Sequence, residues 1–107
     1  MKYLFVVSRD SNEYRSFDFI ASTASQLASN GGEVHFYLLE NGVFAANDKG
    51  KDGHLQSLKR SGAKIYAEDV SLKVRGLLGK LGDGVTVSNM DELVDLMMEK
   101  TDRVTWY

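Results

Sequence analysis

No cysteine occurs anywhere in the 107 residues. That absence excludes disulfides, thiolate metal sites, a thiol nucleophile and any side chain able to carry a persulfide. Proline is absent too, and no function follows from that. An excess of positive charge is also lacking: 13 Lys and Arg stand against 15 Asp and Glu, for a formal net charge of −2. No nucleic-acid partner held through its phosphates is therefore expected. No apolar run approaches the roughly 20 residues needed to span a bilayer, so no membrane partner is expected either. The opening stretch Met1-Lys2-Tyr3-Leu4-Phe5-Val6-Val7 is closed by Ser8-Arg9-Asp10. It is too short in apolar residues for a signal peptide, and the expected location is cytoplasmic.

What is present suffices for one domain over residues 1–107. The chain is 43% hydrophobic, which supports a core without metals or disulfides. Lys2 to Ser8 is a short apolar run of β-formers and reads as a buried strand. Arg9 to Asn12 reads as a turn. Asp10 with Glu13 has capping-box spacing, and Ser11 or Asn12 are alternative caps. From Glu13 to about Asn30, residues Phe17, Ile20, Ala21, Ala24, Leu27 and Ala28 recur on one helical face, and Asn30-Gly31-Gly32 stops the helix. Glu33 to Leu39 is a second strand. Val43 to Ala46 suggests a helical turn, and Asn47 to Gly53 a loop. His54 to Ser61 is a helix with Leu55 and Leu58 inward and Gly62 as its stop. Ala63 to Ala67 is a third strand, and Val70 to Leu78 a helix ended by Gly79. Gly84 to Val87 is a fourth strand. Ser88 or Asn89 caps a helix with an apolar face of Leu93, Val94, Met97 and Met98. Arg103 to Tyr107 is the last strand. Strands alternating with helices predict an α/β fold: a parallel sheet sandwiched by helices on both faces.

In such sheets ligands bind at the carboxyl ends of the strands. Four loops leave those ends: Ser8 to Asn12, Glu40 to Gly53, Glu68-Asp69 and Ser88-Asn89. Ligand-pocket candidates are therefore Ser8, Arg9, Asn41, Gly42, Val43, Phe44, Glu68 and Arg75. Glu68 at the third strand's end suits a base or a metal ligand, although an exposed helix-start acid favouring the dipole is the simpler reading. Arg75 is placed to reach an anion or to lie solvated at an interface. His35 shares a strand face with Glu33 and Tyr37 and reads as structural. His54 reads as exposed. Two isolated histidines make no zinc site, so neither a metal nor a cofactor is expected. Gly79-Lys80-Leu81-Gly82-Asp83-Gly84 lacks the order of a phosphate loop and precedes a strand instead of following one.

Nearly the whole chain resembles the small DsrE/DsrF-like proteins, which include TusD-type sulfur-relay subunits. The resemblance runs through Tyr3-Leu4-Phe5-Val6-Val7, "LASNGGEVHFYLL", "NGVFAAN" at 41–47, "SLKVRGL" at 71–77 and the closing "DRVTWY". It implies a DsrE-like fold, assembly into dimers, trimers or hexamers, and a role in sulfur transfer. In active members a cysteine just before the helix beginning "SLK" carries a persulfide, and that position falls on Glu68 here. By the same resemblance, Asn41, Gly42, Val43 and Phe44 lie beside the vacated cysteine pocket. There Gly42 would let backbone approach a ligand, and Val43 and Phe44 would wall the pocket or meet a neighbouring subunit.

Three readings follow. In the first, the chain is a non-catalytic subunit or scaffold, homo-oligomeric or assembled with related subunits, with Val43, Phe44, Trp106 and Tyr107 available for contacts. In the second, it binds or transforms a small molecule, with Glu68 in place of the thiol, its pKa raised by burial, and Arg9 or Arg75 holding an anion. The third, a receiver-like phosphoacceptor domain, fits poorly. Its third-strand acid is Glu, only one acid follows the first strand, and no lysine ends the last.

Overall fold

The computed structural model describes residues 1–47, 53 and 55–107. The described strands are β1 (Lys2–Val7), β2 (Glu33–Leu38), β3 (Lys64–Glu68), β4 (Val85–Ser88) and β5 (Arg103–Trp106). They form one sheet in the order β4-β3-β2-β1-β5, and every neighbouring pair is parallel. The helices are α1 (Phe17–Ser29), α2 (Gln56–Ser61), α3 (Asp69–Val74) and α4 (Met90–Asp95), which runs on into a π turn at Leu96–Lys100. A 3-10 helix, Glu40–Asn47, follows β2. The expected α/β sandwich is the observed one.

Side-chain alternation divides the core in two. One face of the sheet presents Phe5, Val7, Val34, Phe36, Leu38, Ile65 and Ala67 to Phe17, Ile20, Ala21 and Ala24 of α1 and to Leu58 of α2. The other face sets Leu4, Val6, Tyr37 and Leu39 against Leu93 and Leu96. A parallel sheet needs cover on both faces. The crossover from β4 back across the sheet to β5 supplies α4 to the second face. β1 lies where the strand order reverses, between β2 and β5, so a crevice is expected at its carboxyl end.

Two helix ends show how glycine fixes the chain's direction. After α1, Gly31 takes φ +95, its N–H reaches the Ala28 carbonyl, and the Gly32 N–H reaches that of Leu27. After α3, Gly76 takes φ +68, its N–H reaches Lys73, and the Leu77 N–H reaches Leu72. Both are Schellman stops, in which the left-handed residue costs glycine no Cβ clash.

The structure differs from the sequence reading at several ends. α1 begins at Phe17, four residues later than expected. Asp10 is the reason: its side chain accepts the Asn12 N–H, and its carbonyl accepts the N–H groups of Glu13 and Tyr14. Residues 10–14 thus close a separate turn, and no Asp10–Glu13 capping box forms. α3 ends at Val74, not Leu78, because Gly76 turns the chain. The helical turn expected over Val43 to Ala46 extends to Glu40–Asn47. Leu55 and Leu58 are buried as expected. His54 and most of the loop expected over Asn47 to Gly53 lie outside the described residues.

Candidate functional site

The carboxyl edge of the sheet carries the predicted residues, and it divides them into two groups. The first is built around Glu68, the last residue of β3. Glu68 is extended (φ −73, ψ 131) and caps α3. One carboxylate oxygen accepts the Val70 N–H at 2.9 Å. The other accepts the Ser71 N–H at 2.9 Å and a short bond from the Ser71 hydroxyl. Glu68 and Ser71 are both about 95% buried, at 5% exposure each. Burial alone would raise the pKa of this carboxyl. The bonds from the Ser71 hydroxyl and from the Ser71 and Val70 amides outweigh it and hold the group below the ordinary value. The expected exposed acid is therefore a buried cap. The raised pKa needed for acid–base work is reversed, because every donor here favours the ionised form.

Ser71 carries the connection onward. Its hydroxyl accepts the Glu40 N–H at 2.9 Å, and Glu40 itself sits in the left-handed region at φ +51. That conformation is uncommon for a residue with a Cβ; here the Ser71 bond and the start of the 3-10 helix hold it. Arg75, one turn further along, donates from Nε and Nη2 to the Asn41 side-chain oxygen at 3.0 and 2.9 Å. Its Nη1 reaches the Ser71 carbonyl at 3.2 Å, and the guanidinium lies 5.9 Å from the centre of the Phe44 ring. The predicted anion-binding arginine is thus already engaged within the chain.

Gly42 and Val43 are corrections of a different kind. A Cβ on Gly42 would sit 2.1 Å from the Val7 carbonyl oxygen. The close approach that requires glycine is to β1, not to a ligand. Val43 is fully buried in the core cluster and walls no pocket. Phe44 remains partly exposed. Among the other proposed contact residues, Tyr107 packs against the core and bonds through its backbone to Val6 and Ser8, whereas Trp106 is half-exposed.

The second group surrounds β1. A cavity of about 270 Å³ is lined by Ser8, Arg9, Asp10, Glu13, Tyr14 and Asn41. Arg9 stacks on Tyr14, 4.7 Å from the ring centre. Ser8 donates its hydroxyl to the Tyr107 carbonyl at 2.8 Å. The cavity opens at the sheet's reversal point, as the topology requires. Asp10, Glu13 and Tyr14 did not stand out as pocket residues in the sequence, because an irregular turn gives no periodic signal. Ser71 did not either, although its place three residues after an acid at a strand end is a readable cap spacing.

A larger cavity, about 560 Å³, lies away from this edge between α1 and α2, lined by Ser22, Ser25, Ser57, Arg60 and Ser61 among others. Ser25 bonds there to the Ala21 carbonyl at 2.7 Å and to Ser57 at 3.1 Å. On the second sheet face, His35 Nε2 bonds to Glu33 at 2.9 Å and Nδ1 to the Tyr66 hydroxyl at 2.6 Å, in keeping with the face shared by His35, Glu33 and Tyr37. Among the described residues no three metal-ligating side chains cluster, and no helix is long and apolar enough to cross a membrane.

The model of the DsrE/DsrF-like family matches residues 1–106. The chain belongs to that family. Protein TusB of Escherichia fergusonii is 32% identical to it over 81 residues, covering 76% of this chain and 81% of that protein. TusB of Shigella dysenteriae is 31% identical over 81 residues, with the same coverage. These relatives are TusB proteins, and the narrower TusD-type likeness read from the sequence finds no support in them. The crystal structure of the ychN protein from E. coli superposes with a TM-score of 0.78 at 18% identity, over 100% of both chains. Bacteroides thetaiotaomicron BT1422 gives 0.72 at 18%, over 98% of this chain and 94% of that one. At that identity the two structures speak for the DsrE-like fold alone.

Proposed function

We propose that residues 1–107 act as one DsrE-like domain, a non-catalytic subunit of a cytoplasmic sulfur-relay assembly beside related subunits that bear the cysteine. The observation that carries this reading is Glu68. It stands where the family resemblance places the persulfide cysteine, and both its oxygens are occupied in capping α3. A carboxylate so held accepts no sulfane sulfur, and its lowered pKa suits neither a general acid nor a general base near neutrality. The residue at the reactive position has become part of the scaffold. The 76% coverage by TusB relatives supports a sulfur-relay setting, and an assembly partner is what a cysteine-free member of such a relay requires.

The alternative, a small-molecule binder or enzyme using Glu68 in place of the thiol, needs that carboxylate free. The β1 cavity with Arg9 could still take a ligand, but without Glu68. The test is to mix the purified chain with cysteine-bearing DsrE/DsrF-like proteins from its own source. Native mass spectrometry should show a mixed oligomer, and persulfide transfer by the partner should change when this chain is added. Glu68→Gln should leave the transfer effect in place. No mixed oligomer and no effect on transfer would refute the proposal, and loss of a turnover activity in Glu68→Gln would establish the alternative.

A further inference from the structure

Every residue lining the cavity beyond β1 carries a polar group: Ser8, Arg9, Asp10, Glu13, Tyr14 and Asn41. The bonds these residues already make sort the remaining groups into donors and acceptors. Ser8 gives its hydroxyl proton to the Tyr107 carbonyl, so its oxygen is left as an acceptor. Asp10 accepts the Asn12 N–H on one carboxylate oxygen and has the other to offer. Asn41 has its side-chain oxygen occupied by Nε and Nη2 of Arg75, so its NH2 is the group left to donate. The Arg9 guanidinium lies on the Tyr14 ring, and Tyr14 packs against the core. That contact holds the guanidinium by its face and leaves its N–H edge open. Among the described residues Arg9 pairs with neither Asp10 nor Glu13, although all three line the same cavity.

We infer that this cavity binds a free α-amino acid with a small or polar side chain. The ligand's carboxylate meets Arg9 and the Asn41 NH2, and its ammonium meets Ser8, Asp10 and Glu13. The ligand class follows from the division of charge. A simple anion would face two carboxylates, and a simple cation would face the guanidinium. A zwitterion satisfies both signs at once, through charge-assisted hydrogen bonds at each end. Size agrees with this. The cavity of about 270 Å³ lies at the low end of small-molecule sites, roughly 300–1,000 Å³, and is too small for a nucleotide. The polar lining offers no wall for a large apolar side chain. Place agrees too, since the strand order reverses at β1 and ligands of parallel sheets bind at such a point. The inference stands apart from the subunit reading, because neither Glu68 nor a second chain contributes to the site.

Titration of the isotope-labelled chain with L-serine and with L-glutamine, read by amide NMR shifts, tests the site. Saturable shifts are expected over residues 8–14 and at Asn41, with a dissociation constant of about 1 mM or tighter for at least one of the two. N-acetyl-L-serine lacks the ammonium and L-serinamide lacks the carboxylate, so each should bind about tenfold or more weakly than serine. Arg9 and Glu13 are exposed, so Arg9→Gln and Glu13→Gln should keep the fold by circular dichroism and weaken amino-acid binding by a similar factor. Arg60→Gln, in the cavity between α1 and α2, should leave it unchanged. No saturable shift with either amino acid up to about 10 mM would overturn the inference. N-acetyl-L-serine binding as tightly as serine would mean an anion site, and L-serinamide doing so a cation site; either would overturn the zwitterion assignment. Undiminished binding by Arg9→Gln would overturn the placement.

Discussion

The loops that leave β1 and β3 reach the same edge of the sheet and use their polar groups in opposite ways. After β3 the chain enters α3 at once, and Glu68, Ser71, Glu40, Asn41 and Arg75 bond to one another until little is left for a ligand. After β1 the chain makes an irregular turn before α1, and Arg9, Asp10 and Glu13 face a cavity. Arg9 makes no hydrogen bond or ion pair among the described residues beyond its stacking on Tyr14. The edge thus has one loop hardened into scaffold and one left open, and substitutions should separate the two.

The sharpest break is expected at Gly42, where the two loops are fastened together. An alanine Cβ would lie 2.1 Å from the Val7 carbonyl. The backbone must shift, and the cost should be about 3 kcal/mol or more, the upper range of overpacking. Urea denaturation of Gly42→Ala would measure it, and a midpoint near that of the wild type would show that the 3-10 helix moves aside freely. Glu68→Ala comes next. It removes the cap of α3 and leaves Ser71 and two amides without their acceptor, at a cost of about 2 kcal/mol. Retained stability there would undo the contrast between the loops.

The same contrast has a pH signature. The Glu68 carboxyl is held below its unfolded value by the Ser71 and Val70 donors, against the upward push of burial. A depressed acid contributes stability that is present above its unfolded pKa and lost as pH falls through the lower folded one. The stability gap between the wild type and Glu68→Gln should therefore be full at neutral pH and shrink progressively as the pH falls through and below the ordinary glutamate range. A gap that widened in acid would mean a raised pKa and would return Glu68 to chemistry.

How much of this was legible in the sequence follows from the range of the forces involved. The strands and the core helices were readable because burial imposes a period, two or 3.6, on residues such as Phe17, Ile20, Ala21 and Ala24. Helix ends were less so. Asp10 had the spacing of a capping box, yet its bonds to Asn12, Glu13 and Tyr14 closed a turn instead. The site was legible in position and not in use. Topology brought Ser8, Arg9, Asn41 and Glu68 to one edge as expected. Whether Gly42 faces a ligand or Val7, and whether Arg75 meets an anion or Asn41, depends on contacts between segments about thirty residues apart, which no local pattern records.

The smallest expected effect is at Arg9, and it tests the open loop directly. Its guanidinium rests on the Tyr14 ring at the surface, an exposed cation–π contact contributing on the order of 0.5–1 kcal/mol. Arg9→Ala should therefore lower stability by no more than about 1 kcal/mol, less than half the cost expected at Gly42. Arg75→Ala should cost somewhat more, because it leaves Asn41 without two donors and uncovers Phe44. Paired melting curves for the two variants would rank them. If Arg9→Ala proved the costlier, the turn over residues 10–14 would depend on the stacked arginine, and the loop after β1 would be bound into the fold as tightly as the loop after β3.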